Sequence, residues 1–425
     1  MASRQHSDWL YRLAIFAVIC TFALIGMGGL VTSREVGLAV PDWPTSFGYN
    51  MFLLPFDQWL GRFGIFEEHS HRLMASLVGL VTAVITGWVW VRESTGGSRY
   101  AALFAIAISL SALGLRTQLM LVAMACLALC ALGWSVGKII YNPKALRWWA
   151  SLVYSMVIIQ GVLGGLRVTQ LKDQIGVFHG VLAQVFLVAL GLLALFNSRW
   201  WKESRAARNI NDLVPRVIRS HFFYATVLIF LQLIIGATMR HQHAGLPVWD
   251  FPKAHGQWWP SADAVSLSVY NKERSLLQDR LHAEGKILDA NGNPSVFLST
   301  GKSIQANHIT LHMTHRVMAV LVLGLVLGTT ILTRKKLGKA HVLSKIALLW
   351  LGLTLVQALL GILTVLKYKP ADIATLHVLA GAGLLLVGAF GATISRTRAL
   401  PAILSEPVNE LADDQTPSQL KGARL

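Results

Sequence analysis

The sequence predicts an all-α integral membrane protein built as two pseudo-symmetric four-helix bundles, with eight core transmembrane helices and an extra helical hairpin in the first half. Three observations predict it. Of 425 residues, 54% are apolar and only 14% charged, which lies outside the range of soluble domains. Eight apolar runs are long enough to cross a hydrocarbon layer ~30 Å thick, for which a helix needs about 20 residues. The second half of the chain also repeats the first.

The runs fall at about 13–31, 71–91, 148–166, 175–195, 221–239, 309–332, 342–366 and 371–394. If they alternate in direction, Arg4 and Arg12, Arg92 and Arg99, the stretch 199–219, the cluster Arg334, Lys335, Lys336 and Lys339, and finally Arg396 and Arg398 all share one side. Short basic loops mark the cytoplasmic face, so both termini are expected there and the number of crossings is even. The net charge of +17 is then a topological signature with the lipid bilayer as partner. A nucleic-acid partner is not expected, because that needs basic residues gathered into a patch or stripe. About a dozen residues precede the first run, too few for an Arg-rich and Ser-rich transit peptide, and no small-residue cleavage site follows it. A multi-pass protein of a bacterial plasma (inner) membrane is the expectation. Cys20, Cys126 and Cys130 lie in apolar runs without zinc spacing or an exoplasmic partner, so cysteine chemistry is not expected.

The repeat organises the rest. Residues 28–48 align without gaps on 236–256, with Gly28, Gly37, Leu38, Val40, Asp42, Pro44 and Gly48 recurring as Gly236, Gly245, Leu246, Val248, Asp250, Pro252 and Gly256. The next span opens with HSHRLMA at His69 in one half and HMTHRVMA at His312 in the other. Gln160, Gly164 and Val168 precede His179 much as Gln357, Gly361 and Val365 precede His377. Repeats with an even number of spans start on the same side, so the duplication is parallel. The expected division is 1–199 for the first repeat, with an apolar insert at about 100–137 interrupted by Arg116, 200–398 for the second, and a polar cytoplasmic tail at 399–425. The second repeat carries an enlarged outer loop, 240–308, in which 264–284 reads as an amphipathic helix before a turn-like segment at 289–294.

Ionisable residues inside spans are costly and usually mark function. Of fourteen histidines, His71, His179, His315 and His377 each stand near the outer end of a span running inward, at equivalent places in the repeats. Neutral imidazole binds iron through one axial bond, and two helices that present one histidine each at the same depth can grip a haem from both faces. The alternative is four buried polar residues satisfied by neighbouring helices. Arg72 and Arg316 follow the span-opening histidines, where a guanidinium can clamp a haem propionate or snorkel to the interface. Glu68 stands three residues before His71, on its helical face, whereas His312 holds the matching place before His315. A carboxylate beside one haem can move protons or steady positive charge during oxidation, which makes the half without it better suited to electron transfer. A solvated interfacial acid beside Glu67 is the plainer reading of Glu68.

Taken together, Glu68-His-Ser-His71-Arg72, Gln160-Gly-Val-Leu-Gly-Gly-Leu-Arg-Val168, His179, His312-Met-Thr-His315-Arg316 and His377 resemble the haem A synthase family, which matures cytochrome c oxidase. The first outer loop, Gly37-Leu-Ala-Val-Pro-Asp-Trp-Pro44, is similar to that family's loop. The likeness covers about 13–396 apart from the insert and the enlarged outer loop. It implies an oxidoreductase that converts the C8 methyl group of its substrate, haem O, to the formyl group of haem A. His71 and His179 would face the substrate haem, His315 and His377 would ligate a resident haem b, and Glu68 would assist the chemistry. The haem O synthase is an implied partner, while the membrane electron acceptor and any homo-oligomer stay open. Some bacterial members carry a cysteine pair in the first outer loop, and this chain has none between Gly28 and Glu68. A di-haem membrane cytochrome, quinol-linked, and a haem-binding assembly protein without catalysis are the competing readings.

Overall fold

The computed structural model describes residues 2–112, 118–170, 172–206, 214–242, 244–287, 292 and 303–397. In chain order the helices are α1 (Ala2–Ser33), α2 (Phe56–Trp59), α3 (Ile65–Glu93), α4 (Gly97–Ala112), α5 (Gln118–Tyr141), α6 (Leu146–Gln170), α7 (Asp173–Asn197), α8 (Arg199–Ala206), α9 (Arg216–His241), α10 (Ala264–Ala283), α11 (Ala306–Leu337), α12 (Val342–Leu366) and α13 (Ala371–Thr397). A minimal antiparallel hairpin, β1 (Thr45–Ser46) with β2 (Tyr49–Asn50), sits in the first outer loop. Among the described residues nine helices are long and apolar enough to cross a membrane. Eight of them contain the expected core spans, and α5 is the ninth. The apolar insert is thus a pair of helices, of which α4 has 16 residues, or about 24 Å of rise. The predicted turn at 289–294 falls largely outside the described residues, as do Arg116 and the tail at 399–425.

Local chemistry sets the helix ends. Gly64 enters α3 with φ of 83°, a conformation open to a residue without Cβ, and the Glu67 carboxylate accepts its N–H at 2.7 Å. Glu67 and Glu68 also place negative charge in the first turn of α3, where the helix dipole favours it. In the enlarged outer loop Asp263 caps α10 by accepting from the N–H groups of Val265 and Ser266. Hydrogen bonds from the Ser261 and Ser266 hydroxyls, and then from those N–H groups, hold the Asp263 carboxyl well below the usual carboxylate range.

Helix packing follows the sequence repeat. In the first half α1 packs on α3 and α7, and α6 packs on α3 and α7. In the second, α9 packs on α11 and α13, and α12 on α11 and α13. Leu10, Ala14, Val78, Ile85, Val153 and Leu190 belong to one buried cluster, and Phe222, Ala225, Val326, Ala347, Trp350 and Leu384 to another. A third cluster, Ile25, Leu187 and Ala382, joins α1, α7 and α13 along the seam between them. Even an interhelical hydrogen bond is duplicated: Thr86 Oγ1 donates to the Ala150 carbonyl at 3.2 Å, and its counterpart Thr330 to that of Ala347 at 3.0 Å. Such bonds give helices direction where lipid is as apolar as the side chains.

Candidate haem site

A continuous cavity of about 1330 Å³ runs through both halves, larger than a drug-sized pocket of ~300–1,000 Å³. His71, His179, His315 and His377 all line it. Each histidine lies against a glycine of the neighbouring helix in its own half, and the four seats are alike. A Cβ at Gly28 would stand 3.0 Å from His71 Cε1, one at Gly164 3.5 Å from that of His179, one at Gly236 3.3 Å from that of His315, and one at Gly361 3.1 Å from that of His377. The glycines therefore let an imidazole lie flush on the adjoining helix. These glycines recur in the sequence repeat, but only packing reveals that they serve as seats.

One turn before each glycine stand Leu24, Gln160, Gln232 and Gln357. His377 Nδ1 donates to the Gln357 main-chain carbonyl at 3.1 Å. A carbonyl can only accept, so Nδ1 carries the proton and Nε2 keeps its lone pair, the tautomer a metal ligand needs. The Gln357 side chain donates to that Nε2 at 3.3 Å. Among the described residues Nδ1 of His71, His179 and His315 closes no hydrogen bond of ordinary distance and angle, although the carbonyls of Leu24 and Gln160 face the imidazoles of the first two. Gln160 and Gln232 donate from Nε2 to the main-chain carbonyls of His179 and His315 at 3.0 and 2.9 Å, which fixes the histidine-bearing turns to α6 and α9.

The residues present fit a haem in the second half. The rings of His315 and His377 have centroids 6.4 Å apart, at 61°. An imidazole–metal bond is ~2.0–2.1 Å and each ring nitrogen stands about 1 Å from its ring centre, so two imidazoles on opposite sides of one metal have centroids ~6 Å apart. Among the described residues no group of three or more His, Cys, Asp or Glu could hold a bare metal ion. Two axial donors suit a metal whose remaining ligands come from a macrocycle.

Arg72 and Arg316, the expected propionate clamps, are largely engaged elsewhere. Arg72 Nη1 donates to the carbonyls of Asp42 and Thr45 at 2.6 and 3.1 Å, and Nη2 to the Val40 carbonyl and the Glu68 carboxylate, both at 2.6 Å. Arg316 donates to the repeat-equivalent carbonyls of Asp250 and Lys253 at 2.7 and 3.0 Å. Each arginine thus ties its outer loop to the helix that bears the histidine. The loops are built alike: the Asp42 carboxylate accepts the N–H groups of Phe47 and Gly48, and that of Asp250 those of His255 and Gly256. Burial works against the Asp42 carboxylate, yet bonds from the Thr45 hydroxyl and from the Gly48 and Phe47 N–H groups lower its pKa on balance.

Glu68 is buried, accepts the Val40 N–H at 2.9 Å on one oxygen and Arg72 on the other, and lines the cavity. His312 is buried at the matching place and lines the cavity without a carboxylate. His69, by contrast, turns away towards Ser46 Oγ at 3.3 Å and packs on Trp59. Sequence reasoning missed three further cations on the cavity wall, Arg167, Arg240 and Lys369. Arg240 of α9 donates to the Gly29 carbonyl and, at 2.6 Å, to Ser33 Oγ of α1, so it bridges the two halves. Lys369, in the turn between α12 and α13, is buried, and burial pushes its ammonium down to about 8, with Arg240 adding to the shift and Glu35 opposing it. Nothing in the local sequence around these three residues signals the cavity, because they come from separate helix ends.

Known proteins match the chain over most of its length. The chain is 22% identical over 380 residues to the Heme A synthase of Shewanella oneidensis, an alignment that covers 89% of this chain and 93% of that one. It is also 22% identical to the Heme A synthase of Beijerinckia indica, with 88% of each covered, and 22% identical to that of Shouchella clausii, with 63% of this chain and 72% of the other covered. The family model for Cytochrome oxidase assembly protein, COX15-CtaA, matches residues 11–389, which takes in all four histidines and both arginine-held loops, and the chain belongs to that family.

Proposed function

We propose that this protein oxidises the C8 methyl group of haem O to the formyl group of haem A, as an oxidoreductase that supplies cytochrome c oxidase. One observation carries the reading: four glycine-seated histidines face one cavity in two matched pairs, and a buried carboxylate stands beside only one pair. In this reading 1–199 forms the substrate compartment, with His71 and His179 facing haem O. The repeat at 200–398 forms the second compartment, where His315 and His377 hold a haem b whose iron supplies one-electron transfer when bound.

Converting a methyl to a formyl group removes four electrons from the carbon and adds one oxygen atom. With water as the source of that oxygen, four protons and four electrons leave the carbon (R–CH3 + H2O → R–CHO + 4 H+ + 4 e−), and a membrane electron acceptor takes up the electrons. Glu68, held by Arg72 and the Val40 N–H, takes up protons released at the substrate carbon or steadies positive charge there. Arg72 and Arg316 keep the roofs of the two compartments in place and offer their remaining N–H groups to haem carboxylates, with Arg167, Arg240 and Lys369 completing the cationic rim. The rim shares an end of the bundle with the outer loops. Basic residues at the opposite helix ends support a cytoplasmic location for both termini, and a bacterial plasma membrane is the membrane proposed for the helices.

The test is pigment analysis after co-expression with a source of haem O. Haem A is expected from the native chain. Glu68→Gln is expected to lower haem A output about 100-fold, within the range for loss of a general acid or base, and to leave the second-half haem spectrum intact. Unmodified haem as the sole pigment of the native protein would favour the di-haem cytochrome.

A further inference from the structure

The two compartments are not equally deep on the side that faces lipid. In the first half the cavity wall continues beyond the histidines along Leu77 and Leu80 of α3 and Tyr154 and Ile158 of α6, and reaches Leu110 of α4. Counted from His71 and His315, the counterparts of Leu77 and Leu80 are Leu321 and Gly324. Counted from Gln160 and Gln357, those of Tyr154 and Ile158 are Leu351 and Leu355. None of these four lines the cavity, which on α11 and α12 goes no further than Leu323 and Thr354.

The insert accounts for the difference. Helix α4 packs on α3 and α5 on α6, while α4 and α5 scarcely touch each other, so the pair straddles the α3–α6 seam. Gly87 admits α4: a Cβ there would meet Leu103 at 3.3 Å, and its counterpart in the second half is an exposed isoleucine, Ile331. Ser109 Oγ and Tyr154 Oη lie 2.6 Å apart and bond α4 to α6 across the seam. Helix α4 of the insert, through Leu110, thus closes the end of an apolar annex that α3 and α6 wall and that opens off the compartment of His71 and His179.

We propose that this annex holds the isoprenoid chain of haem O, so that α4 of the insert, through Leu110, is a substrate-binding element. The inference rests on the haem-oxidising reading above. Haem O differs from haem b by a long branched hydrocarbon chain, so the half that takes haem O needs the longer apolar extension, and the first half has it: its cavity runs past Leu80 and Tyr154 to Leu110, whereas the second reaches only Leu323 and Thr354. The wall offers methyl and methylene surface and, at Tyr154, a hydroxyl already engaged by Ser109, which suits an aliphatic chain and no polar group.

The experiment titrates purified protein, second-half haem in place, with haem O and separately with protohaem, which lacks the chain, and follows absorbance. The native protein is expected to bind haem O more tightly. Each methylene denied burial costs about fourfold in affinity, so Leu110→Trp and Leu77→Trp are expected to weaken haem O by about tenfold or more while protohaem affinity stays unchanged. Leu321→Trp, the matched change in the second half, is expected to alter neither, and an unchanged second-half spectrum reports intact folding. Native-like haem O affinity in Leu110→Trp, or equal loss of both haems, overturns the annex assignment and leaves the enzymatic reading standing. Loss of co-purified phospholipid with an unchanged preference for haem O would give the annex to an acyl chain and also overturn it. If the native protein takes up no haem O at all, the enzymatic reading itself fails.

Discussion

The two halves share a histidine scaffold and differ in what surrounds it. In both, an arginine follows the histidine at the start of a span and binds the same two loop carbonyls, and each histidine rests on a glycine one helix away. In the first half the arginine also neutralises a buried glutamate, and the cavity runs on to Leu110 of the inserted helix α4. In the second, a histidine replaces the glutamate and the outer loop carries α10, whose Tyr270 stacks on His255 with centroids 3.7 Å apart. In the proposed reading, duplication has kept the residues that would hold a planar cofactor and varied those that would touch it. A resident group calls for tight, unchanging support, and a reacting one calls for charge and room.

Replacing the axial histidines sets the halves apart most strongly. His315→Ala and His377→Ala are each expected to abolish the second-half haem absorbance, because one remaining imidazole provides a single axial bond. His71→Ala is expected to spare that absorbance and stop haem A formation. Full second-half haem content in either second-half variant, read by absorbance of the purified protein, would break the assignment.

The arginines sharpen the comparison through stability. Arg72→Leu leaves the Glu68 carboxylate buried without its cation, which costs about 3–5 kcal/mol. Arg316→Leu loses charge-assisted bonds to two carbonyls, about 1.5–3 kcal/mol, and takes a nearby positive charge from Asp250, whose carboxylate keeps the N–H groups of His255 and Gly256. Thermal unfolding in detergent should therefore fall further for Arg72→Leu, and the double change Glu68→Gln with Arg72→Leu should recover part of the loss. Equal effects of the two arginine variants would show that the Glu68–Arg72 pair adds nothing in the first half.

The smallest effect concerns the rim. Lys369 titrates at about 8 because it is buried. Below that pH its ammonium attracts the carboxylates of an incoming haem; as pH rises above about 8 the free protein loses the charge, and affinity declines until pH passes the raised pKa of the complex. Haem affinity should then fall about tenfold, on the scale of one charge-assisted bond, and Lys369→Met should flatten the pH profile. A profile unchanged in the variant would remove Lys369 from the rim.

The sequence by itself determined the membrane class, the eight core spans, the repeat and the four histidines. These are statements about hydropathy and about intervals along one chain, and a span of about 20 apolar residues has few structural options in lipid. It also placed the amphipathic helix α10 almost to the residue, because the Asp263 cap and the polar pattern are local. Tertiary structure alone decided how the arginines act. Val40, Asp42 and Thr45 are some thirty residues from Arg72, and a guanidinium near a membrane surface reads the same in sequence whether it binds a propionate or a folded loop. Packing alone turned Gly28, Gly164, Gly236 and Gly361 into histidine seats and gathered Arg167, Arg240 and Lys369 onto one wall. It also made the unassigned apolar insert a bracket over the α3–α6 seam. The physical reason is common to all of these: a contact between helices depends on which faces meet, and hydrophobic periodicity in a span that faces lipid on one side and protein on the other does not say which face that is.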